Sequence, residues 1–158
     1  MRPSILNLWI TIKIHQREIF KKKDFMDTKE VSSKKLSSVI ARVLDDKKAS
    51  DILVLNVSGV CVLSDYFVIA SASSTTQVKG LTSSLRERIK ELFGRIPNGD
   101  ENDLKNRWNL LDYGDVIVHI MHNEQRENYA LEKFWNHALK VDREDWEEES
   151  KEYSQYAK

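Results

Sequence analysis

The feature that most constrains the fold of this chain is a nearly uninterrupted apolar run at residues 51–57 (DILVLNV). An alternating strand needs a covering layer on one face only, whereas a continuously apolar strand has to be covered on both faces. A second strand, rich in aromatic and β-branched residues, is predicted at 65–71. These two strands predict a sheet that is packed between other layers.

Three segments have the apolar spacing of amphipathic helices, with side chains recurring every three or four positions. The first covers residues 33–46 and follows a serine that can cap its first turn. The second is predicted to begin after the possible cap residues Ser73, Ser74 and Thr75 and to end near Phe93, with Gly94 as the residue after its C-terminus. The third is predicted over 124–140. Its apolar face is expected to consist of Leu131, Phe134, Trp135, Ala138 and Leu139.

Between the second and third helices, we expect a polar loop and then a β-hairpin. Residues 97–106 are polar and are broken by proline and glycine, which predicts an exposed loop. Strands at 108–112 and 115–121 follow, joined by a two-residue turn of Tyr113 and Gly114. The order helix, strand, strand, helix, strand, strand, helix predicts an α/β fold with a mixed β-sheet flanked by helices.

The composition narrows the classes of function. The chain has 25 basic and 25 acidic residues, so a basic surface for direct DNA binding is not expected. A single cysteine, Cys61, lies in an apolar run and is expected to be a buried structural thiol in a reducing compartment. No apolar stretch has the roughly 18 residues that a membrane span needs. We therefore expect a cytoplasmic protein, with an organelle matrix as the less favoured alternative.

Charge is concentrated at the two ends of the chain. Residues 1–25 carry six basic and two acidic residues, a net charge of +4, and residues 141–158 carry three basic and seven acidic residues, a net charge of −4. We therefore divide the chain into an N-terminal extension (1–25), a folded domain (26–140) and an acidic C-terminal tail (141–158). The extension is interpreted as an over-extended start before Met26, and a weak organelle transit segment is the alternative.

Three carboxylates at the predicted strand ends raise the alternative of an enzyme. Asp65, Asp112 and Asp115 could hold Mg²⁺ for phosphoryl or nucleotidyl transfer. However, the glycine-serine turn and the closely paired acids that nucleotidyltransferases use are missing from the sequence. Asp112 and Asp115 also flank a tight turn, where aspartate often accepts hydrogen bonds from backbone amides. Catalysis is therefore not the leading interpretation, and no cofactor is expected.

Two histidines and two tryptophans are further candidates for a functional role. His119 and His122 have a metal-ligand spacing, but within a strand their side chains point to opposite faces. A partly buried, hydrogen-bonded histidine is therefore favoured for His119. Trp108 opens a strand directly after a polar loop, so it is expected to be half-exposed, whereas Trp135 is expected to pack in the core.

Four segments carry a resemblance to a known family: DILVLNV (51–57), SDYFVIA (64–70), WNLLDYGDVIVHIM (108–121) and RENYALEKFW (126–135). They resemble the Iojap-like ribosomal silencing factors. The most specific part is W-x-x-x-D-x-G-D-x-x-x-H followed by R-x-x-Y-x-L-E-x-x-W. The resemblance implies a nucleotidyltransferase-like topology without catalysis.

The resemblance also implies a function and a partner. Members of the family bind large-subunit ribosomal protein fourteen on the face that meets the small subunit, and so block subunit joining and repress translation. Organelle relatives are tied to assembly of the large subunit, which leaves an assembly factor as the alternative. A weak homodimer of the free protein, formed through an edge strand or an aromatic face, is a further hypothesis.

The resemblance suggests which residues carry this function. Trp108 is the first candidate for a direct contact with the ribosomal protein, and Leu110, Asp112 and Tyr113 on the same hairpin are secondary candidates. A second set matches the motif and is assigned to docking or to fold maintenance: Asp65, Tyr66, Asp115, His119, Arg126, Tyr129 and Glu132. Within this set, Arg126 is expected to pair with Glu132 or with an aspartate.

Overall fold

The structure is a computed structural model that describes residues 31–102 and 105–154. The predicted N-terminal extension lies outside the described residues. Five α-helices and a short 3₁₀ helix (Lys151–Tyr153) are formed within these ranges: α1 (Ser33–Asp46), α2 (Thr75–Phe93), α3 (Asn123–Tyr129), α4 (Leu131–Phe134) and α5 (Arg143–Glu149). The six strands are β1 (Ser50–Asn56), β2 (Tyr66–Ala72), β3 (Gly99–Asn102), β4 (Trp108–Asp112), β5 (Val116–His122) and β6 (Leu139–Val141). None of these helices is both long and apolar enough to cross a membrane.

The strands form one mixed sheet in the order β3-β4-β5-β2-β1-β6. The central pair, β2 and β5, is parallel, and every other pair is antiparallel. The central strands β2 and β5 are buried along almost their whole length, which explains their continuously apolar sequences. The predicted fold class, an α/β fold with a mixed sheet flanked by helices, is confirmed.

The two faces of the sheet are covered very differently. On one face, alternate strand residues such as Val68 and Val118 pack against α1, α2 and Trp146 of α5. On the opposite face, Phe67 and Ile117 pack against Leu131 of α4 and a set of partly buried aromatic side chains. The first face therefore has a thick helical layer, and the second has a thin cover.

The long helices begin and end as the sequence predicts. The hydroxyl of Ser32 accepts a hydrogen bond from the amide of Lys35 at 3.1 Å, and that of Ser74 accepts one from Gln77 at 3.0 Å. Both bonds satisfy amides that have no partner within the helix. Gly94 ends α2 with φ of +65°, a conformation that glycine adopts without steric cost.

The region predicted as a polar loop and a hairpin differs from expectation in two details. Residues Gly99–Asn102 form an edge strand that pairs antiparallel with β4, because an edge strand needs a pairing partner but no apolar face. The hairpin turn is also shifted by one residue. The amide of Tyr113 donates to the carbonyl of Val116 at 2.9 Å, so Gly114, with φ of +91°, occupies the first position inside the turn instead of the second.

The prediction of one helix over 124–140 is wrong. Ala130 adopts φ of +43°, and its amide donates to the carbonyl of Arg126, which ends α3 after seven residues. The chain then forms the short α4 and adds β6 to the edge of the sheet, beside β1. Phe134 and Leu139, expected in a buried helical face, are 51% and 71% exposed.

The interpretation of residue 141 onward as a solvated tail is wrong for the residues of α5 and the 3₁₀ helix. Trp146 is buried against the face of the sheet that α1 and α2 cover. The guanidinium of Arg143 lies 2.9 Å from Asp45 of α1, and Lys35 lies 3.3 Å from Glu149. Ion pairs in both directions, an arginine of α5 with an acid of α1 and a lysine of α1 with an acid of α5, thus join the two helices beside one large apolar anchor. Residues 155–158 lie outside the described part of the chain.

Cys61 is less buried than expected. It is partly buried in the turn after β1 and packs at the margin of the thinly covered face. Its neighbour Val62 is 98% exposed. The apolar run that suggested a buried thiol is therefore a connection between two strands in which exposed and buried side chains are mixed.

Candidate docking surface

Six rings on the thinly covered face form a continuous series of contacts, which we call the aromatic row. Successive ring centroids are 4.8 to 5.8 Å apart, within the range of favourable aromatic pairs. The row consists of Tyr129, Trp108, His119, Phe67, Trp135 and Phe134, in this order. It crosses the sheet from β4 to β2 and continues into α4.

Strand register brings the members of the row together. Leu110 of β4 lies opposite His119 of β5, and Trp108 lies opposite Met121. Phe67 of β2 lies beside Ile117. Because side chains alternate between faces along a strand, all of these residues point away from α1 and α2. The rigid central strands therefore fix one side of the surface.

Trp108 is half-buried, as the sequence predicts. Its indole Nε1 donates a hydrogen bond to Nδ1 of His119 at 3.1 Å. Its ring packs against that of Tyr129 with centroids 4.8 Å apart. The indole is thus held from two sides and still presents part of its surface to solvent.

His119 is more deeply buried than the sequence suggests, with 1% of its surface exposed. Burial lowers the pKa of His119 to about 3 because the charged imidazolium is separated from water. The ring is therefore neutral at physiological pH, and an Nδ1 that accepts from Trp108 requires the proton to be on Nε2. The expected hydrogen bond of this histidine is confirmed, whereas its burial is deeper than the partly buried position that was predicted.

Arg126 attaches the thin cover to the sheet. Its Nη1 donates to the hydroxyl of Ser71 at 2.9 Å and to the carbonyl of Asp51, and its Nε lies 3.7 Å from the carboxylate of Glu132. Burial lowers the pKa of Arg126, and the nearby Glu132 and Asp51 act in the opposite direction. The predicted pairing with Glu132 is confirmed. This guanidinium connects β1 and β2 to the helices that carry Tyr129 and Trp135.

The secondary candidates on the hairpin do not fit the role of direct contacts. Leu110, Asp112 and Tyr113 are 4%, 2% and 1% exposed. Tyr113 also points to the helix-covered face, opposite to Trp108, and burial raises the pKa of its hydroxyl. Alternation along β4 and the covering layers explain this placement, which makes these side chains part of the fold. Only Trp108 of the four is accessible.

The three aspartates suggested as a Mg²⁺ site have other roles. Asp112 accepts a hydrogen bond from the amide of Gly114 at 2.8 Å, as expected for an aspartate that stabilises a turn. Asp115 pairs with Arg95 at 2.9 Å, and Asp65 is exposed. Among residues 31–102 and 105–154 there is no group of three acidic, histidine or cysteine side chains that could hold a metal ion. The hypothesis of a three-carboxylate metal site therefore has no geometric support.

The motif-matched residues fall into two groups. His119, Arg126, Tyr129 and Glu132 lie in the aromatic row or hold its cover in place. The second group lies outside the row: Asp65, Tyr66 and Asp115, with Tyr66 packed on the helix-covered face. Burial raises the pKa of Tyr66, with a smaller contribution from the charge of Asp65.

Sequence reasoning missed two members of the row and misjudged a third. Phe67 lies in a strand without any local sign of its partners, and Phe134 was assigned to a buried helical face. Trp135, expected in the core, is partly buried at the end of the row, with its ring 5.0 Å from Phe67. Only the motif that places W, H, Y and W in order along residues 108–135 indicated that these rings belong together.

Comparisons with known proteins identify the family of this chain. The family model for the ribosomal silencing factor during starvation matches residues 30–158. The ribosomal silencing factor RsfS of Bacillus subtilis is 34% identical over 112 residues, which cover 71% of this chain and 94% of that protein. A crystal structure of a protein from Chromobacterium violaceum superimposes with a TM-score of 0.64 at 32% identity, covering 67% of this chain and 88% of that one.

A third relative comes from mouse. The protein named mitochondrial assembly of ribosomal large subunit protein 1 is 32% identical over 103 residues, which cover 61% of this chain but 43% of the mouse protein. None of the relatives' names describes an enzyme. Because the family model matches more than half of the sequence, the chain belongs to the ribosomal silencing factor family.

Proposed function

We propose that this protein represses translation by docking on the large ribosomal subunit, through large-subunit protein fourteen, and sterically blocking the small subunit. The observation that carries this proposal is the half-exposed Trp108, held on a rigid strand within the aromatic row. Family membership supports the ribosome as the partner. The proposed mechanism is steric obstruction, which requires an interface and no catalytic group.

The aromatic row has the properties of a binding hot spot. Tryptophan and tyrosine are enriched among residues that dominate binding energy, because they bury a large area with few rotatable bonds. The row ends in Phe134, which is half-exposed, so its accessible surface extends beyond Trp108. An interface of about 800 Å² on each partner is the standard size for a specific complex.

The binding test is co-sedimentation of the purified full chain with isolated large and small ribosomal subunits. We expect the wild-type protein to sediment with the large subunit only. Trp108→Ala should weaken this binding at least tenfold, since a central aromatic anchor contributes about 2 kcal/mol or more. Pull-down with isolated large-subunit protein fourteen then tests whether that protein is the contact.

Ile96→Ala is the matched control for this experiment. Ile96 is 62% exposed and lies outside the aromatic row, so truncating it removes apolar surface without touching the proposed interface. Thermal unfolding of each variant shows whether it remains folded. Equal binding by Trp108→Ala and Ile96→Ala would mean that the row is not the docking site. No binding of the wild type to either subunit would refute the proposed function.

A role in large-subunit assembly is the second candidate, favoured by the name of the mouse relative. The two roles use the same docking event and differ in its consequence. Adding small subunits to the bound complex tests silencing directly, because a steric block lowers the fraction of joined ribosomes. If the protein binds and joining is unchanged, and cells without it accumulate precursor particles, the assembly role replaces the silencing role.

A further inference from the structure

The hydrogen bond between Trp108 and His119 is the least expected feature of the proposed docking surface. A tryptophan at a protein surface can direct its indole N–H to water, whereas here the N–H is used internally, at 3.1 Å from Nδ1 of His119. The acceptor is a side chain from the neighbouring strand, in a position with almost no exposure. The position of the indole is therefore determined by a residue that itself cannot reach a partner.

We propose that His119 is a positioning residue that fixes the orientation of the Trp108 indole for docking, an inference that rests on the proposed function. The contacts support a specific division of roles. Tyr129 packs against the indole ring, which limits its tilt, and His119 binds the N–H, which limits rotation about the side-chain torsions. Phe67 holds the imidazole in turn, with ring centroids 5.8 Å apart in an edge-on arrangement.

Pre-orientation matters because binding orders side chains. A free surface tryptophan loses rotamer freedom when it enters a pocket, and a fixed one has lost this freedom already during folding. His119 should therefore strengthen docking without touching the partner. The competing interpretation is that His119 only fills space between Phe67 and the indole, in which case any ring of similar size would serve.

Two substitutions separate these interpretations. His119→Phe keeps an aromatic ring next to Phe67 and removes the acceptor. His119→Asn removes the ring and keeps an acceptor oxygen near the position of Nδ1. If positioning is the role, His119→Phe should weaken binding to the large subunit about tenfold, as expected for loss of one buried hydrogen bond, and His119→Asn should retain most of the affinity. Weaker binding by the asparagine variant than by the phenylalanine variant would overturn the proposal.

A double-mutant cycle with Trp108→Phe provides the second test. Trp108→Phe removes the donor, so in this background His119→Phe can no longer break the hydrogen bond to the indole. We expect it to change the affinity there by less than about twofold, against about tenfold in the wild-type background. Equal effects in both backgrounds would show that His119 acts through general packing and would overturn the proposal.

Nuclear magnetic resonance of the indole N–H group tests the orientation without any ribosomal component. The Trp108 signal is assigned by its disappearance in Trp108→Phe. It should exchange slowly with solvent in the wild-type protein, and His119→Phe should shift it upfield and speed its exchange. An unchanged signal would overturn the proposal. If the wild-type protein fails to bind ribosomes, the proposed function fails with the docking role, and this experiment still decides whether His119 fixes the indole.

Discussion

Acid should destabilise this protein through His119, by an amount that follows from its burial. The pKa of His119 is about 3 in the folded state, and an unperturbed histidine in the unfolded chain has a pKa of about 6.5. Between these two values the unfolded state binds a proton that the folded state does not bind, so protonation favours unfolding. Above about pH 6.5 both states are neutral at this position and the contribution vanishes.

The magnitude of this contribution can be worked out from the two pKa values. Each pH unit inside the window costs up to about 1.4 kcal/mol. Near the upper end the unfolded histidine is only partly protonated, which reduces the first part of the loss. Lowering the pH from about 7.5 to about 5.0 should therefore reduce the free energy of unfolding by about 2 kcal/mol through His119 alone.

The assay is urea-induced unfolding followed by far-ultraviolet circular dichroism at both pH values, for the wild type and for His119→Phe. Carboxylates titrate in both proteins. The difference between the two proteins in the pH dependence of the free energy of unfolding therefore isolates the contribution of His119. His137→Phe, at an exposed histidine, is the matched control for replacing an imidazole by a phenyl ring. If wild type and His119→Phe lose the same stability between the two pH values, His119 is not held neutral by burial and the reasoning fails. His119→Asn provides the same comparison without the added volume of phenylalanine.

Three further substitutions and one control at an exposed residue test the fold. Leu111→Ala, at a fully buried strand position on the helix-covered face, should cost about 2–5 kcal/mol in urea unfolding, since it leaves a cavity. Gly94→Ala should cost about 1 kcal/mol in thermal unfolding, because Gly94 has φ of +65°. Trp146→Ala should cost about 3–5 kcal/mol, whereas Val62→Ala, at a residue that is 98% exposed, should change stability by less than about 0.5 kcal/mol. Equal effects of these last two substitutions would mean that α5 is not packed on the domain.

The elements that local physics determines could be predicted from the sequence. The helices α1 and α2 have regular apolar spacing, a serine cap and, for α2, a terminal glycine, and the structure contains all of these features. The central strands β2 and β5 have largely apolar sequences and are buried along almost their whole length. In these segments, secondary-structure propensity, apolar periodicity and turn chemistry all favour the structure that the tertiary contacts also favour, so local prediction succeeds.

The elements that depend on distant partners could not be predicted. Ala130 is a good helix former, and nothing nearby in the sequence indicates its positive φ, which depends on how α3 and α4 fit the sheet. The strands β3 and β6 are polar or short, and they exist because β4 and β1 offer unpaired backbone groups. The acidic segment around Trp146 folds because α1 supplies an apolar contact and a cation, Lys35, that pairs with Glu149.

In the candidate site, too, local features could be predicted from the sequence and contacts between distant residues could not. Trp108 and His119 were recognisable as individual residues, since one begins a strand after a polar loop and the other lies in an apolar strand. Their hydrogen bond could not be anticipated, because it depends on the register of β4 against β5, which places Leu110 opposite His119. Leu110 and Tyr113 were wrongly predicted to be accessible contact residues for a related reason. A family motif identifies a segment but does not distinguish its exposed positions from its buried ones.

The unequal covering of the sheet connects the fold to the proposed function. The layer of α1, α2 and α5 covers one face of the sheet and buries most of its apolar side chains, so the opposite face can leave aromatic side chains partly exposed without loss of the fold. Exposed aromatic surface on a mobile loop would have to be ordered upon docking, whereas the aromatic row is ordered by strand register, by Arg126 and by His119. A protein that acts by obstruction needs a firm attachment and a rigid body. Under the proposed function both requirements are met by the same sheet, with the helical layer on one face and the proposed docking surface on the other.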